Sequence, residues 1–242
     1  MYKCRGRRAL VSRSWRREKR ESSVWPRLEN VEVCNVDVLL EKNEPLTEEE
    51  MKLFGSFGVG AKIRPPFRIL NPHRIFIGED VSIREECYLH AYEDLTKLHA
   101  FVDDRYKKDF DLSQYKYDSR IVIGREVQVG RNLFISCTNS VEIGRNVTIS
   151  ERVFIGDNNH SFSHPEVPIM QQPNKVGIPI FVGSGSWIGA GASLLPGTRL
   201  GRNSVVGTLS VVKGEFPDHA VIGPEPAKLL FVKQYPPGDS TI

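Results

Sequence analysis

The feature that most constrains the fold of this chain is a series of aliphatic residues spaced six positions apart. Glycine follows most of these residues, and a small or apolar residue stands two positions before each of them. The aliphatic positions are Ile77, Ile83 and Leu89; Ile123, Val129 and Ile135; Ile143, Ile149 and Ile155; and Val182, Ile188, Leu194, Leu200, Val206 and Val212.

A period of six fits neither an α-helix, which repeats every ~3.6 residues, nor a simple alternating strand, which repeats every ~2. It fits short strands joined by tight corners, because inward positions two residues apart lie on one face of a strand. The glycine then serves the corner, either because φ is positive there or because a Cβ would clash. Three sides make a triangular coil of about 18 residues, and the sequence supplies about five such coils. The pattern therefore predicts an all-β solenoid rather than a β-sandwich, whose strands recur every ~8–12 residues.

The extent of the repeat sets the expected domain boundaries. A β-helix domain is predicted over residues 61–232, with excursions from its corners at 90–118 and 157–179. Residues 1–60 are interpreted as a basic, weakly structured arm followed by a short helix, and residues 233–242 as a flexible tail.

The short helix has a recognisable start. Thr47 is a suitable N-cap, and Glu50 stands three residues later, where it completes a capping box. We expect this helix to reach Phe54 and to stop at Gly55.

The overall composition is that of an ordinary globular protein, with 40% hydrophobic residues, 26% charged residues and a net charge of +3. Nine of the first 20 residues are Arg or Lys, which is typical of a solvated tail. No apolar run approaches the ~18 residues of a membrane span, and no secretory signal is visible. The four cysteines are far apart and form no CxxC pair. We expect a cytoplasmic protein with reduced cysteines that binds no nucleic acid and does not insert stably into a membrane.

The regular spacing fails after Ile155 and resumes at Val182. The interval from 155 to 182 is 27 residues, which is not a multiple of six, so the intervening residues must leave the coil as a loop. Long loops on a rigid scaffold usually carry function. His160 lies at the root of this loop, and an imidazole, with an unperturbed pKa near ~6.5, suits a general base.

The segments 141–160 and 182–213 resemble the hexapeptide-repeat acyltransferases, in particular the maltose, galactoside and polysaccharide-biosynthesis O-acetyltransferases. This resemblance implies a left-handed parallel β-helix and a homotrimer whose active cleft lies between neighbouring subunits. It also implies that acetyl-CoA is the acyl donor, that His160 is the catalytic base and that no metal is required.

The same resemblance assigns a set of coenzyme-binding residues. It places an aromatic ring near the acyl end of the cleft, small residues along the pantetheine arm and a basic residue near the phosphates. These residues are Trp187, Ala190, Thr208, Lys213, Gly214 and Lys228. The chain departs from the family pattern at Asn158 and Asn159, where His or Asp is common, and at Pro224 and Glu225, where the family usually has Gly-Asn-Pro-Ala.

The implied reaction is transfer of an acetyl group to a hydroxyl of a sugar or glycan. An N-acyltransferase acting on an amino sugar or amino acid is the main alternative, since an amine acceptor needs the same base in a different pocket. A γ-type carbonic anhydrase shares the fold but needs three zinc-binding histidines, and His160 and His164 do not have the spacing of its close pair. A non-catalytic scaffold is the remaining alternative. His164 is interpreted as a loop-surface residue or a weak contact to the acceptor. We expect the other histidines to be structural or solvated, namely His73, His90, His99 and His219.

Overall fold

The computed structural model describes residues 39–94, 104–107, 115–172, 174–223 and 229–232. The predictions for the basic arm up to residue 38, for His99, for Lys228 and for the tail from residue 233 lie outside the described residues. No helix in the described part of the chain is long and apolar enough to cross a membrane.

The described residues contain two short α-helices, two 3-10 helices (Pro72–Arg74 and Ile169–Gln171) and a long series of short strands. The α-helices are α1 (Glu48–Met51) and α2 (Asp104–Lys107). In chain order the strands are β1 (Leu39–Lys42), β2 (Ser56–Phe57), β3 (Lys62–Ile63), β4 (Phe67–Leu70), β5 (Ile75–Ile77), β6 (Ser82–Ile83), β7 (Cys87–Ala91), β8 (Arg120–Ile123), β9 (Gln128–Val129), β10 (Phe134–Cys137), β11 (Ser140–Ile143), β12 (Thr148–Ile149), β13 (Phe154–Gly156), β14 (Ile180–Val182), β15 (Trp187–Ile188), β16 (Ser193–Leu194), β17 (Arg199–Leu200), β18 (Val205–Val206), β19 (Val211–Val212), β20 (Glu215–Phe216), β21 (Ala220–Ile222) and β22 (Leu229–Val232).

The strands form three sheets that run along a common axis. Sheet A has the order β1-β4-β7-β10-β13-β16-β19, sheet B the order β2-β5-β8-β11-β14-β17-β20, and sheet C the order β22-β21-β18-β15-β12-β9-β6-β3. Neighbouring strands are parallel, apart from the antiparallel end pairs β1–β4 and β21–β22. Successive strands of the chain enter sheets B, C and A in turn, so the chain winds as a three-sided parallel β-helix.

The β-helix has one more coil than the sequence analysis indicated. Strands β2 to β19 are 18 strands, three to a coil, and therefore make six coils. The additional coil is the first, whose inward residues Phe57, Ile63 and Ile69 are also six apart. The first of these residues is the aromatic Phe57, so a search restricted to aliphatic residues does not find this coil.

The repeated aliphatic residues form the core, as predicted. Ile123 in sheet B, Ile149 in sheet C and Ile155 in sheet A are fully or almost fully buried. Two of the polar residues at inward positions are satisfied locally, since the Thr198 hydroxyl donates to the Leu195 carbonyl at 2.7 Å and the Ser186 hydroxyl donates to the Gly201 carbonyl at 3.2 Å. The core is thus a continuous apolar column along the axis.

The glycines of the repeat allow neighbouring coils to approach each other closely. Gly124 does not have a positive φ, but a Cβ added there would lie 2.8 Å from the backbone nitrogen of Arg145 in the next coil. The positive φ occurs two residues later, at Glu126, where it is 59°. Of the two reasons offered for the glycine, the clash with a neighbouring backbone is therefore the operative one at this corner.

Helix α1 begins as predicted but is shorter than expected. The Glu50 backbone N–H donates to the Thr47 hydroxyl, and the Glu50 carboxylate accepts from the Thr47 backbone N–H, which completes the capping box. The helix ends at Met51 instead of Phe54. The reason is that Phe54 is buried against Phe57, and the following Gly55 N–H donates to the Ile75 carbonyl of the first sheet-B neighbour.

Candidate active site

Both long excursions leave the β-helix at the same corner, where the chain passes from sheet A to sheet B. The first connects β7 to β8 and covers residues 92–119, because β7 continues through His90 to Ala91. The second connects β13 to β14 and covers residues 157–179. One coil lies between them, and its corner at Thr138 and Asn139 is short. This arrangement stacks both excursions along one edge of the prism.

A buried carboxylate fixes the neck of the second excursion. Asp157 is fully buried, and its carboxylate accepts from the backbone N–H groups of Thr138 at 2.9 Å and Asn139 at 2.7 Å. The returning strand of the loop binds the same corner, since the Gly177 N–H donates to the Thr138 hydroxyl and the Asn139 amide donates to the Gly177 carbonyl. Burial, followed by the nearby Asp157 charge, raises the pKa of the Cys137 thiol, which stays protonated in this neck.

His160 lies just beyond this neck and is exposed. It forms an isolated antiparallel bridge with Asn174, and the adjacent Lys175 N–H donates to the Asn159 carbonyl at 2.9 Å. Within the described part of the chain no group forms a hydrogen bond with the His160 ring. The backbone of His160 is therefore held in place while its exposed ring has no hydrogen-bond partner among the described residues.

The distal part of the loop is organised around Gln172. This buried side chain accepts from the His164 N–H and donates to the carbonyls of His164 and Val167. His164 is thus part of the loop's internal packing. Several apolar side chains of the same loop are nevertheless exposed, namely Phe162, Ile169, Met170, Val176 and Ile178.

Of the predicted coenzyme-binding residues, Trp187 lies on a strand and four others lie at two different corners of the β-helix. Trp187 lies on sheet C, is 46% exposed, and donates its indole N–H to the Ser150 hydroxyl at 3.0 Å. Ala190 and Thr208 lie at the corner between sheets C and A, in successive coils. The Ala190 carbonyl accepts from the Leu209 N–H. Within the described residues no acceptor is present for the backbone N–H of Ala190 or Thr208, so both point away from the intercoil ladder.

Lys213 and Gly214 lie at the same type of corner as His160, between sheets A and B. Lys213 is exposed, and Gly214 has φ = 113° with no atom within 4 Å of an added Cβ. Ala190 lies at the other end of sheet A, one side of the triangle away, or about 15–20 Å for a side of some six residues. A single chain therefore does not bring His160 together with Ala190.

The remaining described histidines have structural roles. His73 contacts the Glu93 carboxylate at 3.1 Å, and His90 contacts the Tyr92 hydroxyl at 3.2 Å. Burial, with a smaller effect of Arg68, lowers the pKa of His90 to about 4. His219 occupies a corner with φ = 63° and donates its backbone N–H to the Arg202 carbonyl.

The described residues contain no group of three or more His, Cys, Asp or Glu side chains arranged to hold a metal ion. The zinc site that a γ-type carbonic anhydrase would need is therefore not formed by this part of the chain.

The sequence is similar to those of curated acetyltransferases. It is 38% identical over 121 residues to the putative lipopolysaccharide biosynthesis O-acetyl transferase WbbJ of Escherichia coli, covering 46% of this chain and 59% of that protein. It is 31% identical over 116 residues to the galactoside O-acetyltransferase of Escherichia coli, covering 48% of this chain and 56% of that protein. The chain thus spans just over half the length of these relatives. No protein-family model matches it.

Among solved structures, the fold is similar to that of AntD, an N-acyltransferase from Bacillus cereus crystallised with dTDP-4-amino-4,6-dideoxyglucose and coenzyme A. The TM-score is 0.60, the sequence identity is 20%, and the match covers 80% of this chain and 92% of that one. The chain is similar to the hexapeptide-repeat acyltransferases in both sequence and fold. The predicted fold class, a left-handed parallel β-helix, is confirmed.

Two residues of the site were not singled out from the sequence. Asp157 holds the neck of the loop, and Tyr117, from the other excursion, donates its hydroxyl to the Asn174 carbonyl opposite His160. Asp157 could have been found as the first residue after the last in-phase glycine. Tyr117 lies in an excursion without periodicity, so no sequence pattern connects it to His160.

Proposed function

We propose that this protein transfers an acetyl group from acetyl-CoA to a hydroxyl of a sugar or glycan, with His160 as general base. The observation that carries this proposal is the placement of an exposed imidazole on a backbone that a buried carboxylate network fixes to the β-helix. Similarity to two O-acetyltransferases supports a hydroxyl acceptor. The proposal concerns the activity of a chain that is similar to about half of each relative.

The mechanism follows from the weak nucleophilicity of an alcohol at neutral pH. Neutral His160 accepts the hydroxyl proton while the oxygen forms a bond to the thioester carbonyl carbon. The resulting tetrahedral intermediate collapses as its carbon–sulfur bond breaks, and the imidazolium returns the proton to the leaving thiolate. The products are the acetyl ester and coenzyme A, and no covalent enzyme intermediate is needed.

The tetrahedral intermediate carries a negative oxygen that needs a hydrogen-bond donor. The Ala190 backbone N–H is the proposed donor, because it has no acceptor within the described part of the chain and sits on a rigid corner. Trp187, Thr208, Lys213 and Gly214 are proposed to line the coenzyme channel, with Lys228 near the phosphates. Unused N–H groups at successive corners suit an arm of alternating amide groups such as pantetheine.

We propose a homotrimer in which each active cleft lies between two chains. His160 and Ala190 occupy opposite ends of one side of the prism, so a site containing both requires two subunits. The exposed apolar side chains of the His160 loop, such as Phe162 at 70% and Met170 at 68% exposure, would be covered by a neighbouring subunit.

Substitution of His160 tests the assignment of the base. His160→Ala should lower kcat for coenzyme A release by about 10²–10⁴-fold, with little change in affinity for acetyl-CoA. His164→Ala, four residues away in the same loop, is the matched control and should retain most of the activity. Turnover of His160→Ala near that of the wild-type protein would remove His160 from the mechanism.

The class of acceptor is tested by measuring thiol release from acetyl-CoA with sugars, glycosides and amino sugars. Faster release with hydroxyl acceptors, and an ester product by mass, supports O-acetylation. Preference for amino sugars, with an amide product, would assign the protein to the N-acyltransferases instead. Failure to bind coenzyme A would favour a non-catalytic scaffold.

A further inference from the structure

The first excursion contacts the His160 loop through one tyrosine. Tyr117 is buried, and its hydroxyl donates to the Asn174 carbonyl at 2.9 Å. Asn174 is the residue that pairs with His160 across the antiparallel bridge. Tyr117, which precedes His160 by 43 residues (160 − 117), therefore contacts the segment that pairs with His160.

The geometry of the bridge explains why this carbonyl is available. The Lys175 N–H donates to the Asn159 carbonyl, which is the pattern that flanks a non-hydrogen-bonded pair. His160 and Asn174 are that pair, so their own backbone groups point away from each other. The outward carbonyl of Asn174 needs another donor, and Tyr117 supplies it.

The excursion that carries Tyr117 is itself fixed to the β-helix. The Tyr117 N–H donates to the Glu93 carbonyl at 2.7 Å, and Asp94 and Lys116 form an antiparallel bridge at the neck. The Glu93 carboxylate is bound in turn by His73 at 3.1 Å and by Arg74. Burial alone would raise the pKa of Glu93, but the hydrogen bonds from His73 and Arg74 outweigh it and keep that pKa below its usual value.

We propose that Tyr117 is a positioning residue for the reaction, and that the described stem of the excursion between β7 and β8 (residues 92–94 and 115–119) acts as a strut for the catalytic loop. Through its contact with Asn174, Tyr117 fixes the backbone of His160 at the position along the prism edge that the reaction needs. The inference rests on the proposed function, since it assumes that His160 is the base. Its structural part, support of the bridge by Tyr117, stands independently of the reaction.

The neck and the bridge are thus held by different parts of the chain. Asp157 anchors the neck from the β-helix, and Tyr117 anchors the bridge from the other excursion. Loss of the Tyr117 hydroxyl should let residues 159–160 and 174–175 separate more often while the neck stays closed. A misplaced base lowers the rate of the chemical step more than the affinity for the coenzyme.

Tyr117→Phe tests the strut because it removes the hydroxyl and keeps the ring. We expect amide exchange at Lys175 to rise and kcat to fall, each by about three- to tenfold, with KM for acetyl-CoA unchanged. Tyr115→Phe is the matched control: Tyr115 is buried two residues away, and its hydroxyl has no hydrogen-bond partner in the described part of the chain. That variant should change neither quantity.

A double-mutant cycle separates positioning from general destabilisation. If Tyr117 acts through His160, Tyr117→Phe should have no further effect on the residual rate of His160→Ala. Equal fold-losses in both backgrounds, or unchanged Lys175 exchange in Tyr117→Phe, would overturn the strut. A wild-type protein without acetyl transfer, or a fully active His160→Ala, would instead overturn the proposed function, and the exchange experiment would still decide the support of the bridge.

Discussion

At the scale of single residues, the corners of this β-helix separate two requirements that glycine often meets together. Gly183 has no positive φ, yet a Cβ there would lie 2.4 Å from the backbone of Gly201. The positive φ falls on the second residue after it, Gly185. Asn and Asp occupy several equivalent positions, such as Asn146 and Asp80, because they tolerate the left-handed region better than most residues. The repeat therefore keeps glycine where coils touch.

This separation predicts a large loss of stability for one of two nearby substitutions and a small change for the other. Gly124→Ala places a methyl group against the Arg145 backbone and should lower the free energy of unfolding by about 1–3 kcal/mol. Glu126→Gly replaces a residue at φ = 59° with one that prefers it, and should change that free energy by no more than about 1 kcal/mol. Urea unfolding measures both. A larger loss for Glu126→Gly than for Gly124→Ala would contradict the assignment of roles.

At the scale of elements, sheet A differs from the other two in its outward face near the excursions. Tyr88, Phe134 and Phe154 are aligned on neighbouring strands, and their rings meet edge to face at centroid distances of 6.1 Å and 5.7 Å. His90, on the same strand as Tyr88, packs edge to face on Phe134 at 5.4 Å. The imidazole is consequently held neutral among aromatic rings.

The half-buried His90 makes stability depend on pH. Its pKa is about 4 in the folded protein and ~6.5 in an unfolded chain, so the unfolded state binds more protons between these values. This contribution to stability is complete above pH ~6.5 and is lost as the pH falls toward 4. Between pH 7 and pH 5, the free energy of unfolding of the wild-type protein should fall by about 1–2 kcal/mol more than that of the His90→Asn variant. Equal losses in both proteins, measured by urea unfolding at the two pH values, would refute this.

The elements were predictable to different degrees for physical reasons. The three sheets follow from the six-residue spacing of residues such as Ile143 and Ile149, because each side of the coil repeats the same local geometry. The end of α1 was not predictable from the sequence. Phe54 was expected in the helix, but its burial in the tertiary structure places it outside the helix. The extension of β7 through His90 was also missed, because outward positions carry no periodic signal. Local rules thus hold for the periodic part and for the start of α1, and they fail where tertiary contacts decide the end of an element.

At the scale of the whole molecule, the candidate site could be predicted only in part. The break in spacing locates the loop and His160, because a loss of phase is visible in the sequence. The contact between Tyr117 and Asn174 joins two non-periodic segments, so only the three-dimensional stacking of corners reveals it. The separation of His160 from Ala190 depends on which corner each occupies, which also requires the fold.

This separation gives a test of the proposed intersubunit cleft. His160→Ala removes the proposed base from its own chain, and Ala190→Pro removes the proposed oxyanion donor, because proline has no backbone N–H. Each variant alone should be inactive. In mixed trimers, the base of an Ala190→Pro chain can face the donor of a His160→Ala chain, and random 1:1 mixing makes about one quarter of the clefts complete.

Co-expression of the two variants with different affinity tags, followed by purification of the mixed oligomer, measures this complementation. Each purified trimer contains both variants and so has one complete cleft among its three, and the expected result is recovery of about one third of the wild-type kcat per chain. Each single variant must first elute at the same size as the wild-type protein, so that inactivity reflects the lost group. Full-sized mixed oligomers without recovered activity would place His160 and Ala190 in different sites. Acetyl transfer by a monomeric wild-type protein would exclude a cleft between chains. One chain holds His160 and Ala190 on opposite sides of sheet A, so a monomer would not form a site that contains both.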